Sequence, residues 1–408
     1  MTLYEELKWR GLIKDVTSPE LENKLNNEKL TFYIGTDPTA DSMHIGHYSS
    51  FLIAKRLAKA GHKPLLLIGG ATGRIGDPRP TTEREMKSIE EIEKNTKNLK
   101  KQAEEIFGFE VVDNYDWIKN INIIEFLRDY GKYFNINYML DKDIIRRRLE
   151  TGITFTEFSY MLLQSLDFLH LHETRGVNLQ VAGSDQWGNI TSGVDLIRKK
   201  LGDEVYAFTM PLILDQNGKK FGKSEGNALW LDKNKTSSYE LYQYLINTDD
   251  SMIESYLKVF TFLSPEEIMD IVSKHNNEPH LRLGQKTLAK EIITDLHGKE
   301  EYEKAVQISE NLFSGNIKKI NVHDLMIGLK DVPHFILKDE SLLDLLVNNN
   351  ICSSKREARE FLGNNAISVN GEIVNDENMF IDKTKTIEGK IVVIRRGKKK
   401  YYVGLVEE

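Results

Sequence analysis

The sequence predicts an α/β chain: a Rossmann-like parallel-sheet domain, then an all-helical domain, then a small α+β module. Three observations carry that expectation. Strand, helix and strand patterns succeed one another within residues 30–70. Beyond residue 227 the apolar spacing turns helical only. After residue 341 two helical stretches give way to short strands and a basic run.

Each element has its own reason. "LTFYIG" (30–35) is β-rich and stops at a glycine. "HIGHYSSFLIAKRLAKA" (44–60) places apolar side chains at helical spacing and is closed by Gly61. "KPLLLIGG" (63–70) is a continuous apolar run between proline and glycine, which suits a strand buried on both faces. A βαβ unit of this kind builds a parallel sheet. "LQVAG" (179–183) and "AFTMPLIL" (207–214) extend it, with helices expected over 121–139 and 157–170. Ser264-Pro265-Glu266-Glu267 is a capping box with proline at the first helical position, and Ser237 with Glu240 is another. Residues 236–315 therefore read as helical. The boundaries drawn are 1–227 for the sheet domain, 228–320 for the helical domain, 321–340 for a linker and 341–408 for the tail module.

The bulk numbers bound the function. A chain of 408 residues is too long for one ordinary core. With 40% hydrophobic and 29% charged residues it reads as soluble and globular. The first thirty residues hold no apolar run, and no run approaches a membrane span, so a cytoplasmic protein is expected. One cysteine, Cys352, excludes an internal disulfide and a cysteine-rich metal site. The net charge is −7, yet residues 341–408 sum to +1 and hold Arg395, Arg396, Lys398, Lys399 and Lys400 together. A local basic patch on an acidic protein points to a docked polyanion.

"PTADSMHIGH" (38–47) sits at the carboxyl end of the first strand, where such sheets bind ligands. His44 and His47 are three apart and face one side of a helix start. The positive helix end favours neutral imidazoles that donate hydrogen bonds beside a phosphate. Gly46 leaves room for a flat group at the backbone. "KKFGKS" (219–224) is a glycine-flanked lysine loop suited to clamp a polyphosphate. "AGSDQWGN" (182–189) puts Asp185 and Gln186 at the sheet edge, where a carboxylate suits a ribose hydroxyl or caps the following helix. Asp77 follows the apolar strand and "GGATGRIG", a place for an ammonium partner. Tyr160, Gln164 and Asp167 fall at i, i+4 and i+7 on an otherwise apolar helix, which suits a pocket wall. Arg146, Arg147 and Arg148 read equally as a nucleic-acid contact or a solvated helix face. Residues 123–140 read as core or as a subunit interface.

"YIGTDPTADSMHIGH", "GGATGRIGDP", "FTEFSYMLLQSLDF", "AGSDQWGNI" and "KKFGKSEGNALWLD" together resemble the bacterial tyrosyl-tRNA synthetases, a family of class I aminoacyl-tRNA synthetases. The resemblance runs over nearly the whole chain, and the tail resembles an RNA-binding module shared with a ribosomal protein. It implies activation of L-tyrosine by ATP and transfer to tRNA(Tyr). It implies Thr39 and His44 at the terminal phosphates, His47 at the nucleotide, and Lys220 and Lys223 closing over pyrophosphate. Gly35, Asp37, Gly46, Asp185, Gln186 and Ser224 complete the implied ATP site. Asp77, Tyr160 and Gln164 would hold the substrate ammonium, and Tyr33 with Asp167 the phenol. Lys355, Arg356, Arg359, Arg395, Arg396 and Lys398 would meet RNA. Mg²⁺ would come with ATP, with no structural metal in the protein. A homodimer, with an insertion forming its interface, is implied too. One departure stands out: the loop after "GDP" carries Arg79 and Arg84 where the family often has a lysine. The rival readings are the tryptophan enzyme, a small-molecule nucleotidyltransferase and a non-catalytic RNA-binding paralogue.

Overall fold

The computed structural model describes residues 1–79, 82–224, 227–398 and 400–407, and of Lys223, Ser224 and Asn227 the backbone alone. The chain forms two compact units, Met1–Lys235 with Asp249–Gly284, and Thr236–Thr248 with Gln285–Glu408.

The first unit is built on a six-stranded sheet. Its strands are β1 (Asp15–Val16), β2 (Thr31–Thr36), β3 (Lys63–Ile68), β4 (Glu110–Asp113), β5 (Leu179–Gly183) and β6 (Tyr206–Met210), in the order β1-β6-β5-β2-β3-β4. β2 to β6 are parallel, and β1 runs antiparallel along β6. Phe32, Tyr33 and Ile34 are buried in succession on β2, as are Leu65 to Ile68 on β3. That continuity belongs to a sheet covered on both faces. β6 stops before Pro211, which has no N–H for the ladder. From β2 the chain builds outward to β3 and β4, then returns to lay β5 on the other side of β2. The reversal opens a crevice at the carboxyl ends of β2 and β5.

Helices cover the sheet and carry side chains into that crevice. α1 (Ile45–Lys59) follows β2 and ends before Gly61, whose φ is +93°. α2 (Ile89–Phe107) is capped by Ser88 and ends at Gly108. α3 (Phe155–Arg175) starts at Thr154, whose side chain accepts from the Glu157 N–H, and ends at left-handed Gly176. α4 (Trp187–Leu201) follows β5, with Gln186 at its N-cap and no side-chain cap bond, so Asp185 does not cap it. The helix expected over 121–139 is instead a chain of short turns, Ile123–Glu125, Phe126–Tyr130, Gly131–Tyr133 and Ile136–Leu140. Asn122 and Asn135 each cap a new start and break the run.

The helices between 236 and 315 are divided between the two units. Both capping boxes form, Ser237 with Glu240 and Ser264 with Glu267. Residues 249–284 join the sheet unit, where buried Arg10 donates to the carbonyls of Lys258 (2.9 Å) and Leu263 (2.6 Å). Residues 321–340, expected to link, hold a helix (Val322–Gly328) and a strand (His334–Ile336). That strand pairs in parallel with Lys400–Leu405. Ile308, Leu312, Leu325 and Leu329 share one apolar cluster with Ile391, Val393 and Val403. Full burial stabilises each such side chain by about 1.5–3 kcal/mol, so the stretch is part of a core rather than a tether. The rest of the tail supplies the other four strands of this five-stranded sheet, a two-stranded pair, helices Leu342–Asn348 and Lys355–Gly363, and buried Cys352.

Candidate active site

β2 and α3 bring Tyr33 and Asp167 to the floor of a cavity of about 280 Å³. Tyr33 is 1% exposed, and its hydroxyl has no hydrogen-bond partner among the described residues. Asp167 Oδ1 accepts from Trp117 Nε1 at 2.9 Å and Oδ2 from Asn114 Nδ2 at 3.0 Å. Burial outweighs both bonds and pushes the Asp167 carboxyl up to about 8. Burial, then the nearby Asp167, raises the Tyr33 phenol well above its ordinary value. A buried hydroxyl left unpaired costs about 1–3 kcal/mol. A ligand hydroxyl between Tyr33 and Asp167 recovers that cost, because each carboxylate oxygen accepts more than one bond.

The next level of the cavity is rich in acceptors. Tyr160 donates to Asp37 Oδ2 at 2.9 Å, and Thr72 donates to Asp37 Oδ1 at 2.7 Å. Asp77 accepts from Gln186 Nε2 at 2.8 Å and Asn189 Nδ2 at 3.2 Å. Burial pushes Asp77 up to about 6 and also raises Asp37. Gln164 lines the same wall. Two carboxylates held in a desolvated pocket await a cation. Gly69 and Gly70 make the arrangement possible: a Cβ there would lie 2.1 Å from Asp37 Oδ1 and 2.2 Å from Asp113 Oδ1. Arg84 also lines this cavity, its Nε donating to the Asp77 carbonyl at 2.6 Å.

The outer level is made by the start of α1. His44 is its N-cap; Nδ1 of His44 accepts from the Gly46 N–H at 3.1 Å. The His44 N–H donates in turn to Nδ1 of His47 at 3.1 Å. An accepting Nδ1 puts each ring proton on Nε2, so both imidazoles are donors away from the backbone. Burial, then His44, lowers the His47 pKa to about 3, which keeps its ring neutral. A Cβ on Gly46 would lie 2.8 Å from His44 Cε1, so the glycine makes room for the His44 ring. The space that the sequence assigned to a ligand group is that ring's own.

Beyond it a second cavity, of about 310 Å³, is lined by Gly35, His44, His47, Asp185, Leu212 and Lys220, among others. Asp185 is exposed and borders both cavities. Thr39 borders the first. Phe221 anchors the lysine loop, its ring 4.7 Å from those of Tyr256 and of Phe260. The Leu229 N–H donates to the Gly222 carbonyl and the Ile45 N–H to the Leu229 carbonyl, which ties the loop to α1. The side chains of Lys223 and Ser224 lie outside the described residues.

Thus Tyr33, Thr39, His47, Asp77, Tyr160, Gln164, Asp167 and Asp185 share one cavity, and His44, Gly46 and Lys220 line the adjoining one. Gln186, expected at ATP, lines the first cavity too, its Nε2 donating to Asp77. Asn114, Trp117, Thr72 and Asn189 were not anticipated; Thr72 and Asn189 lie within sequence motifs but had no role assigned, and Asn114 and Trp117 lie just after β4 with no period or motif to mark them. The tail residues divide. Lys355 pairs with Asp344 at 2.6 Å, and Arg359 pairs with Glu377. Arg396 donates to the Ile351 carbonyl, and Arg395 is half-buried. Arg356 and Lys398 are exposed, and Lys399 lies outside the described residues.

The comparisons agree with this geometry. A family profile described as "tRNA synthetases class I (W and Y)" matches residues 25–314, and one described as "Tyrosine--tRNA ligase SYY-like C-terminal domain" matches 324–404. A tyrosine–tRNA ligase of Listeria monocytogenes is 49% identical over 415 residues, covering 99% of each chain. One of Macrococcus caseolyticus is 50% identical, covering 98% of each. A C-terminally truncated mitochondrial tyrosyl-tRNA synthetase of Aspergillus nidulans superposes with a TM-score of 0.67 at 34% identity, over 76% of this chain and 94% of its own. With a parallel sheet, paired histidines at a helix start and a full-length likeness to such enzymes, this chain belongs to the tyrosine–tRNA ligases, class I aminoacyl-tRNA synthetases.

Proposed function

We propose that the chain activates L-tyrosine with ATP and then esterifies the 3′ end of tRNA(Tyr), with tyrosine deep in the first cavity and ATP reaching from the rim of that cavity into the second. The observation that carries the amino-acid assignment is the partnerless, buried Tyr33 hydroxyl beside Asp167. A ligand that brings a hydroxyl to that depth satisfies it, and phenylalanine does not. ATP–pyrophosphate exchange with each of the twenty amino acids is the test; exchange driven best by tryptophan or phenylalanine would refute the assignment.

In the first step an oxygen of the tyrosine carboxylate attacks the α-phosphorus. The bond to the β-phosphate oxygen breaks, and pyrophosphate leaves with the electron pair. The carboxylate is already an anion, so no general base is needed. The site's work is alignment and charge stabilisation. Tyr33 and Asp167 fix the phenol; Asp77, Tyr160 and Gln164 fix the ammonium. His44 and His47 offer Nε2–H donors, Thr39 a hydroxyl, Lys220 and Lys223 ammonium charge, with Ser224 behind them. Gly35, Asp37, Gly46 and Asp185 border the nucleotide, Asp185 facing a ribose hydroxyl. Of Arg79 and Arg84, Arg84 lines the cavity, so it takes the phosphate role. In the second step a terminal tRNA hydroxyl attacks the tyrosyl carbonyl, and AMP leaves. Mg²⁺ would travel on ATP: Asp37 and Asp77 are engaged by the protein's own donors, so no resident cage is assigned.

Asp77 gives a pH signature. Its carboxyl sits at about 6, and a bound ammonium lowers it. The free protein then holds more protons than the complex, so tyrosine affinity falls as pH drops below about 6, by up to about tenfold per unit. Equilibrium binding between pH 4.5 and 7.5 reads this. Asp77→Asn should bind weakly with no break near 6; a variant that keeps the break moves its origin elsewhere.

We assign RNA contact to the tail, with Arg356 and Lys398 among its exposed cations. Arg356→Glu together with Lys398→Glu in the full-length chain should leave pyrophosphate exchange unchanged yet slow tRNA charging at least about tenfold, since phosphate contacts dominate such affinity. Equal charging by the variant and the unaltered chain rules the assignment out. A homodimer is the proposed assembly, since Ile123, Ile124, Leu127, Ile136, Leu149 and Phe155 are all exposed apolar side chains of the 123–155 stretch. A sedimentation mass equal to one 47.0 kDa chain would remove it. The cytoplasm is the proposed compartment, in keeping with the protein-synthesis role of the family.

A further inference from the structure

Arg148 and Glu157 are buried, charged side chains near the cavity that the mechanism leaves unused. Arg148 is 3% exposed and Glu157 2%. They form an ion pair, Arg148 Nη2 to Glu157 Oε2, of 2.8 Å. Every N–H of the guanidinium is spoken for. Nε donates to the Gly152 carbonyl at 3.1 Å, and Nη1 donates to those of Arg79 (2.9 Å) and Thr82 (3.0 Å). Nη2 donates to the Gly152 carbonyl at 3.1 Å as well as to Glu157. The other Glu157 oxygen, Oε1, accepts from the backbone N–H of Arg84 at 3.2 Å.

The pair therefore grips the backbone at 79, 82 and 84 and leaves the Arg84 side chain to enter the cavity. Gly76 lets it pass: its φ is +77°, and a Cβ there would lie 2.8 Å from Arg84 Cδ. Glu157 also stands on α3 three residues before Tyr160, on the face that continues through Gln164 and Asp167. One helix face thus serves the phenol, the ammonium and the backbone behind Arg84.

We infer that the Arg148–Glu157 pair is a positioning device for amino-acid activation, holding Arg84 against the reacting phosphates. The inference rests on the proposed phosphate role of Arg84. The chemistry of the pair is specific. A carboxylate accepts from two sides at once, whereas an amide would present N–H to one of the two donors. Lysine has three donors and no planar fork, so it cannot hold four acceptors at once.

Glu157→Gln and Arg148→Lys, each alone and each combined with Arg84→Ala, test the inference in the full-length protein. The readouts are pre-steady-state adenylate formation and equilibrium tyrosine binding. Each single change should slow adenylate formation about 10- to 100-fold, the cost of misplacing a group by about an ångström, with tyrosine affinity within about twofold. Neither should slow Arg84→Ala further, because groups acting through one another are not additive. Arg148→Lys keeps the buried charge, so it carries the test if Glu157→Gln does not fold. Undiminished rates in the single variants, losses that add to Arg84→Ala, or weakened tyrosine binding each overturn the positioning role. A normal rate for Arg84→Ala itself overturns the reading of Arg84 instead.

Discussion

Above pH 8, where a carboxyl raised to about 8 is ionised, Asp167→Asn is expected to cut the tyrosine/phenylalanine ratio of kcat/KM in pyrophosphate exchange by about 10- to 150-fold, the equivalent of about 1.5–3 kcal/mol for a hydrogen bond to a charged group. Tyrosine-activating enzymes are already an established case of such discrimination, at about 10⁵-fold against phenylalanine. The structure contributes the assignment. Tyr33 and Asp167 are 1% and 2% exposed, and the Tyr33 hydroxyl has no partner among the described residues. Phenylalanine entering the pocket leaves that hydroxyl unpaired, while tyrosine satisfies it. Tyr33→Phe removes a neutral partner and should cost about 0.5–1.5 kcal/mol. Both changes act by weakening tyrosine rather than by improving phenylalanine. Asp167→Asn retains an oxygen, but its amide must serve the place where Trp117 or Asn114 now donates. The folded fraction of the variant should therefore be checked by its melting temperature. A folded variant with the full ratio would detach Asp167 from hydroxyl recognition.

The folded state carries its own pH cost at the same residue. Asp167 titrates at about 8 when folded against an ordinary 3.8. The folded form holds the proton where the unfolded chain has lost it, so this group's contribution is fully present below about 4. It declines as pH rises and is gone above about 8. The pocket is thus built at the expense of stability, as desolvated binding sites are.

The sequence made some of this legible and hid the rest for definite reasons. Periodicity reports which side chains share a face. It placed Tyr160, Gln164 and Asp167 together, and the cavity contains all three. The glycine at the end of β2 and the H-x-G-H turn marked the crevice because strand ends and helix starts leave local signals. What lay out of reach was pairing across distance. Asn114 and Trp117 meet Asp167 from 53 and 50 residues away, and nothing in "DNYDWI" announces it. Arg146, Arg147 and Arg148 read alike as neighbours on one helix. The structure separates them: Arg146 pairs with surface aspartates, Arg147 is exposed, and Arg148 is buried. The same blindness affects the tail. A count of basic residues cannot show that Lys355 and Arg359 already hold carboxylates. Nor can it show that 321–340 supplies an edge strand.

Gly222→Ala is expected to slow adenylate formation by about 100-fold while leaving tyrosine affinity unchanged. Gly222 has a φ of +81°, where a side chain is strained, and a Cβ there would lie 1.9 Å from Ile45 Cγ2. The methyl cannot be accommodated in place. Ile45 is 1% exposed and is the first residue of α1, directly after His44. The lysine loop must move outward, or the helix start must. Either way Lys220 and Lys223 are displaced relative to the His44–His47 pair, and misplacement by about an ångström costs about 100-fold. Gly222 borders the second cavity, the proposed nucleotide site, but not the one holding Tyr33 and Asp167, so equilibrium tyrosine binding is the internal control. Combining Gly222→Ala with Ile45→Ala separates the two causes. Ile45→Ala removes Cγ2 and relieves the contact, and it leaves the unfavourable φ in place. Partial recovery of the rate in the double variant assigns the loss to the contact with α1. No recovery assigns it to backbone strain. An undiminished rate in Gly222→Ala alone would show that the loop does not need its fit against α1 to bring the lysines to the phosphates.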